Sequence, residues 1–248
     1  MWTPYIRKLR DRAPVIAFDL PGFGHSGANP EPPRSQEEAL QFFVRPIEGA
    51  LENSGPVVLV GHSLGGLVAL EIALRGKLRV ERLVLIGSMG LSPYVTPRAR
   101  AYLRAGPERL ARLASRLNTK GLGVSNSAKD EDMVELRREL HLAPGGRPLA
   151  KRAFDMLVPL FADAFSRRER LAELPMPVLL IWGDHDEAFP LPIAMAARAL
   201  TPNAELEVFA AGHSPHLETP DRVAARLDRF IEPLLEPARS SFDRTRPP

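Results

Sequence analysis

Short apolar runs alternate along the chain with longer stretches in which apolar residues recur every three or four positions. The runs Pro14–Leu20 (PVIAFDL), Pro56–Gly61 (PVVLVG), Arg82–Gly87 (RLVLIG), Pro177–Trp182 (PVLLIW) and Glu205–Ala210 (ELEVFA) predict strands. Three of them are almost unbroken in apolar character, as suits strands buried on both faces of a parallel sheet. Between the runs, Gln36–Glu52, Leu64–Arg75, Leu191–Leu200 and Pro220–Leu235 carry the helical period. The last has a clear start signal in Thr219-Pro220-Asp221: a capping side chain, a proline in the first turn, then an acid at the positive end of the helix dipole. Strand–helix alternation of this kind predicts an α/β fold with a mostly parallel sheet flanked by helices.

One stretch departs from the rhythm. Residues 91–174 offer no strand, only helix-like segments at Pro97–Leu117, Asp130–His141 and Pro148–Phe165. That is far longer than an ordinary crossover, so it reads as a helical cap inserted into a discontinuous core of residues 1–90 and 175–235. Residues 236–248, rich in Pro, Arg and Ser, read as a disordered tail.

Composition narrows the chemistry. The 248 residues, 44% hydrophobic, suffice for one globular domain with an insertion. There is no cysteine, which excludes disulfides, thiolate metal sites and a cysteine nucleophile. No apolar run approaches the roughly 18 residues of a membrane span. The first fourteen residues carry Arg7, Lys8, Arg10, Asp11 and Arg12 without the apolar stretch of a signal peptide, so a cytoplasmic location is expected. The net charge of +3 is uneven: residues 91–173 hold 16 Lys and Arg against 10 Asp and Glu. Those cations alternate with acids along helical patterns and have no aromatic or glycine-rich nucleic-acid motif beside them. A solvated helix face is therefore the better reading, and nucleic acid is not an expected partner.

The candidate chemistry starts at Gly61-His62-Ser63-Leu64-Gly65, where a buried-looking strand runs into an apolar helix. A serine in a sharp strand-to-helix turn is held in strained geometry, and flanking glycines let neighbouring elements approach it. Its hydroxyl then projects beside the helix N-terminus, where the Leu64 amide can donate to a developing oxyanion. Such a serine needs a base. Among the six histidines, His62 adjoins the serine and should point away from it. His213, directly after Gly212 in the loop beyond the last strand, is the better base, with His216 left as a packing or hydrogen-bonding residue. The base needs an orienting acid, and the loop after Pro177–Trp182 offers Asp184, Asp186 and Glu187.

Four segments, Asp19-Leu20-Pro21-Gly22-Phe23-Gly24-His25-Ser26, Gly61-His62-Ser63-Leu64-Gly65-Gly66, Gly183-x-x-Asp186-x-x-x-Pro190 and Gly212-His213-x-x-His216-x-Glu218-x-Pro220, occur in this order. Together they resemble the α/β-hydrolase superfamily. The resemblance implies that fold, selects Asp186 among the three acids, supports His213, and matches the helical insertion to the family's cap. It implies a Ser63–His213–Asp186 triad with the Leu64 amide as oxyanion donor, acting on a small acyl substrate such as an ester, without metal or organic cofactor. Alternatives are C–C bond or lactone hydrolysis, and a truncated, non-catalytic binding protein. The acyl and leaving groups and the oligomeric state stay open.

The resemblance also implies strands and a His-Gly loop ahead of the Met1–Leu9 segment, and these are not seen. One such strand would lie between Val15–Asp19 and Val57–Val60, and the loop would supply a second oxyanion amide. The start could lie upstream of Met1, the chain could be a degenerate relative, or another element could substitute. The first is favoured because all three triad positions are intact. On this reading the chain alone is expected to be poorly stable, with either a vacancy in the sheet or direct pairing of the two flanking strands.

Overall fold

The computed structural model describes residues 2–21, 26, 34–94, 96–97 and 165–235. Residues 98–164, which hold nearly all of the expected cap, and the expected tail 236–248 lie outside the described residues. The described elements are α1 (Thr3–Leu9), α2 (Gln36–Leu51), β1 (Val57–His62), α3 (Leu64–Arg75), β2 (Val80–Ile86), a 3₁₀ turn (Arg168–Glu173), β3 (Val178–Gly183), α4 (Leu191–Leu200), β4 (Ala204–Phe209), α5 (Pro215–Glu218) and α6 (Pro220–Leu235). Among the described residues the strands form one parallel sheet in the order β1-β2-β3-β4.

The period of two along each strand splits the core into halves. Leu83 and Leu85 of β2, with Val178, Leu180 and Trp182 of β3, face a cluster shared with α2, α3 and α4. Val84 and Ile86, with Leu179 and Ile181, face the other side, against Tyr5 of α1 and Val223, Leu227 and Phe230 of α6. Burial on both faces explains why these strands read as unbroken apolar runs. The helices form where apolar spacing and end signals agree. Ser35 caps α2 by accepting from Glu38 N at 3.1 Å, and Ala39, Leu40, Phe43, Val44 and Ile47 make its buried stripe. Gly76, at φ +64°, ends α3 in the left-handed conformation that favours glycine.

The fifth expected strand does not form. Pro14–Leu20 adopts no regular structure and joins no ladder. Val15 and Ile16 are 37% and 58% exposed, while Phe18 and Leu20 rest part-buried on the core. An extended segment becomes a strand only when a neighbour takes its backbone groups. Among the described residues β1 pairs with β2 alone, so one of its edges carries no partner strand. Among the described residues the two segments are therefore not paired directly, and of the two only Val57–His62 is a strand. Among the described residues no helix is long and apolar enough to cross a membrane.

Candidate active site

All four strands point the same way, so the loops after β1, β2, β3 and β4 gather at one edge of the sheet. The turn after β1 is the most strained. Ser63 has φ +52° and ψ −117°, and among the described residues it is the only non-glycine residue with positive φ. The chain around it holds that geometry. Ser63 N donates to Ile86 O at 3.0 Å, and Met89 N donates to Ser63 O at 3.1 Å, so the end of β2 grips the turn from both sides. Only glycine fits at position 61, where a Cβ would overlap the Gly65 carbonyl at the start of α3. The bonds of α3 to the Ser63 carbonyl begin at Gly66 N (3.0 Å) and Leu67 N (3.2 Å). The Leu64 and Gly65 amides belong to the turn that helix geometry leaves without intrahelical acceptors. The Ser63 side chain does not cap the helix.

Of the three acids after β3, one meets His213. The Asp186 side chain is fully buried, and its Oδ2 lies 2.9 Å from His213 Nδ1. Its Oδ1 accepts from Ala188 N at 2.8 Å and Phe189 N at 2.9 Å. One carboxylate oxygen is thereby anchored by two amides while the other faces the imidazole. Asp184 turns outward to His185 Nδ1 at 2.5 Å and accepts from Ala211 N at 3.1 Å. Glu187 presents its backbone carbonyl to Thr96 Oγ1 at 2.9 Å.

His213 is buried in the turn between β4 and α5. Two glycines make room for that turn. A Cβ on Gly183 would overlap the Ala211 and Gly212 carbonyls, and one on Gly87 would stand 2.9 Å from His213 O and 3.1 Å from Nδ1. Gly87 directly follows Ile86, the residue that holds Ser63 N, so serine turn and imidazole pack around the same strand end.

Three imidazoles cluster here, the neighbouring pairs tilted by 49° and 51°. The His62 ring centroid lies 4.8 Å from that of His213 and 4.5 Å from that of His216. Trp2 stacks on His216 at 5.1 Å, and Tyr5 donates to His216 O at 2.7 Å. Among the described residues no group of three or more His, Asp or Glu is arranged to hold a metal. His216 is 1% exposed and neither ring nitrogen has a partner. Burial, with the nearby His213, pushes its pKa down to about 3. His62 is held well below its ordinary value by burial first, then by His216 and His213. Both rings are neutral at pH 7.

Two contributors carried no role in the sequence reading. Glu218 accepts from Gly212 N at 3.0 Å and Ser214 N at 3.3 Å, and His62 Nε2 meets His213 O at 2.9 Å. Glu218 stood in the Gly212-to-Pro220 motif, but only the folded turn brings its carboxylate back under the loop. Expecting His62 to point away from Ser63 left its neighbours open, and they are His213 and its loop.

This arrangement has parallels in known proteins. Residues 1–226 match the model of the alpha/beta hydrolase family. A 2-hydroxymuconate semialdehyde hydrolase of Pseudomonas putida is 29% identical over 223 residues, 88% of this chain and 76% of the relative. The solved meta-cleavage product hydrolase of Pseudomonas fluorescens IP01 superposes with a TM-score of 0.74 at 27% identity, over 94% of this chain and 85% of that one. A thermophilic esterase of Thermogutta terrifontis gives 0.70 at 26% identity, over 94% and 85%. With the strained serine turn, the parallel sheet and a family match across most of the length, the chain belongs to the alpha/beta hydrolase family and is a hydrolase.

Proposed function

We propose that this hydrolase acts on small esters or related acyl compounds through Ser63, His213 and Asp186. The observation that carries the reading is the Asp186 carboxylate, buried and pinned by two amides so that its free oxygen accepts from His213 Nδ1. Fixing Nδ1 as the protonated nitrogen leaves Nε2 as the acceptor, the state a general base needs. His213 Nε2 takes the Ser63 hydroxyl proton as Oγ bonds to the substrate carbonyl carbon. The carbonyl oxygen, now negative, accepts from the Leu64 amide at the start of α3. His213 returns the proton to the leaving group as the C–O bond breaks, giving an acyl-enzyme. Water, deprotonated by the same imidazole, releases the acid and restores Ser63.

Wild-type protein is expected to hydrolyse p-nitrophenyl acetate or butyrate, Ser63→Ala to lose that activity, and a fluorophosphonate to label the wild type only. A wild-type chain that neither turns over ester nor takes the label refutes the reading. C–C bond hydrolysis is a second reading, supported by the likeness to a semialdehyde hydrolase and a meta-cleavage product hydrolase. Turnover of 2-hydroxymuconate semialdehyde at a higher kcat/KM than any ester would favour it.

A further inference from the structure

The turn that bears His213 lies between the last residue of β4, Phe209, and the first of α5, Pro215, and belongs to no helix or strand. Its polar backbone groups still need partners, because His213 and Ser214 are buried. Side chains supply several of them. The Glu218 carboxylate accepts from Gly212 N at 3.0 and 3.1 Å and from Ser214 N at 3.3 Å, the amides on either side of the base. The carbonyl of His213 itself lies 2.9 Å from His62 Nε2. A carbonyl oxygen only accepts, so that nitrogen carries the N–H and donates. Enclosure keeps His62 neutral, so it places no second cation beside His213 when the base takes up its proton.

We propose that His62 and Glu218 are positioning residues that hold the base by its backbone, His62 by the carbonyl of His213 and Glu218 by the two flanking amides. The proposal rests on His213 being the base. Asp186 orients the imidazole about its ring, while His62 and Glu218 set where the ring's Cα stands relative to Ser63. His62 is the residue before Ser63, so its hydrogen bond ties the strand carrying the nucleophile directly to the backbone carrying the base. Displacement of a reacting group by about 1 Å costs on the order of 10²-fold in rate.

The test separates the donor from the ring. His62→Phe keeps an aromatic ring between His213 and His216 but has no N–H, whereas His62→Gln can place an amide N–H near the position of Nε2. With p-nitrophenyl butyrate, His62→Phe should lower kcat about 10²-fold with KM within about twofold, and His62→Gln should stay within about fivefold of wild type. A His62→Phe kcat within about twofold of wild type, or an equal fall in both variants, overturns the proposal. Amide hydrogen exchange gives a readout independent of turnover and of the His62 variants. In Glu218→Ala the Gly212 and Ser214 amides should exchange at least about 10-fold faster while those of β2 and β3 keep their rates. Unchanged exchange overturns the Glu218 half. If the wild-type chain shows these amides protected yet neither hydrolyses ester nor takes a fluorophosphonate, the triad reading fails and the positioning role fails with it.

Discussion

Pro14–Leu20 and Pro177–Gly183 begin alike, each with Pro-Val and an apolar continuation, and each leads toward an acid, Asp19 in one case and Asp184 and Asp186 in the other. Their fates differ. Val178 through Trp182 are 0–1% exposed, paired with β2 on one side and β4 on the other. Val15 and Ile16 are 37% and 58% exposed in a segment without a ladder. Hydrophobic content does not explain the contrast; neighbours do. β3 has a strand at each edge and a helix layer on each face, so every apolar atom and every amide in it finds a partner. The same divide extends to the acids, because a buried strand delivers the residue three places past its end into a closed environment.

The largest expected effect probes the acids. Asp186→Asn should lower kcat by about 10⁴-fold, since an amide can favour the wrong imidazole tautomer. Asp184→Asn should stay within about threefold, because that carboxylate faces His185 and an amide rather than His213. Steady-state hydrolysis of p-nitrophenyl butyrate by the two variants measures the gap, and equal losses would erase the distinction.

Next comes the strand itself. Ile181→Asp places an unpaired carboxylate among Ile86, Phe209 and the α6 side chains, and should cost more than about 4 kcal/mol or abolish soluble folding. Ile16→Asp should fall within about 0.5 kcal/mol of wild type. Urea titration at pH 7 checks both, and a large loss at Ile16 would mean that Pro14–Leu20 is ordered more like β3.

Acid sharpens the same contrast at the closed end of the sheet. The unfolded chain binds a proton at His216 near the ordinary value of 6.5, and the folded chain only near about 3. The folded pKa is the lower one, so this stability is fully present above pH 6.5 and is lost as pH falls toward 3. The slope is about 1.4 kcal/mol per pH unit for one such group, and His62 adds in the same direction. Urea midpoints at pH 7, 5.5 and 4.5 should fall steeply for wild type and less steeply for His216→Phe. That variant also removes two buried nitrogens that lack partners, so its stability at pH 7 should equal or exceed the wild type's.

The smallest effect belongs to the β1 edge that has no partner strand among the described residues. Val60 is 40% exposed on β1. Val60→Lys should change the melting temperature by no more than about 2 °C while raising soluble yield, since a charged edge strand resists pairing with other chains. Unchanged aggregation, followed by light scattering on warming, would mean that this edge is not the adhesive one.

Much of the fold was legible in the sequence because strands and helices buried by their neighbours write their surroundings into the chain. The runs over β1 to β4 and the periodic stretches over α2, α3, α4 and α6 lie within a few residues of the elements that form. The serine turn was legible for a related reason: close approach at Gly61 tolerates no side chain, and that demand shows in the letters. The choice among Asp184, Asp186 and Glu187 was not a local matter. It needed a family pattern at the sequence level, and in the folded chain it follows from which carboxylate the loop turns inward, where Ala188 N, Phe189 N and His213 converge. Nor did the sequence reading anticipate His62 on the His213 carbonyl, since a hydrogen bond between residues 151 apart leaves no periodicity to read, or Glu218 beneath the His213 loop, where the turn rather than any helical or strand period brings the carboxylate back to Gly212. The sequence by itself determined the alternation of elements, the strained serine and the order of serine, acid and histidine, because each depends on residues a few positions apart. Only the tertiary structure decided that Pro14–Leu20 stays out of the sheet, that Asp186 meets His213, and that three imidazoles gather at the strand ends. Those outcomes depend on which distant groups compete for the same backbone, the same buried space and the same proton.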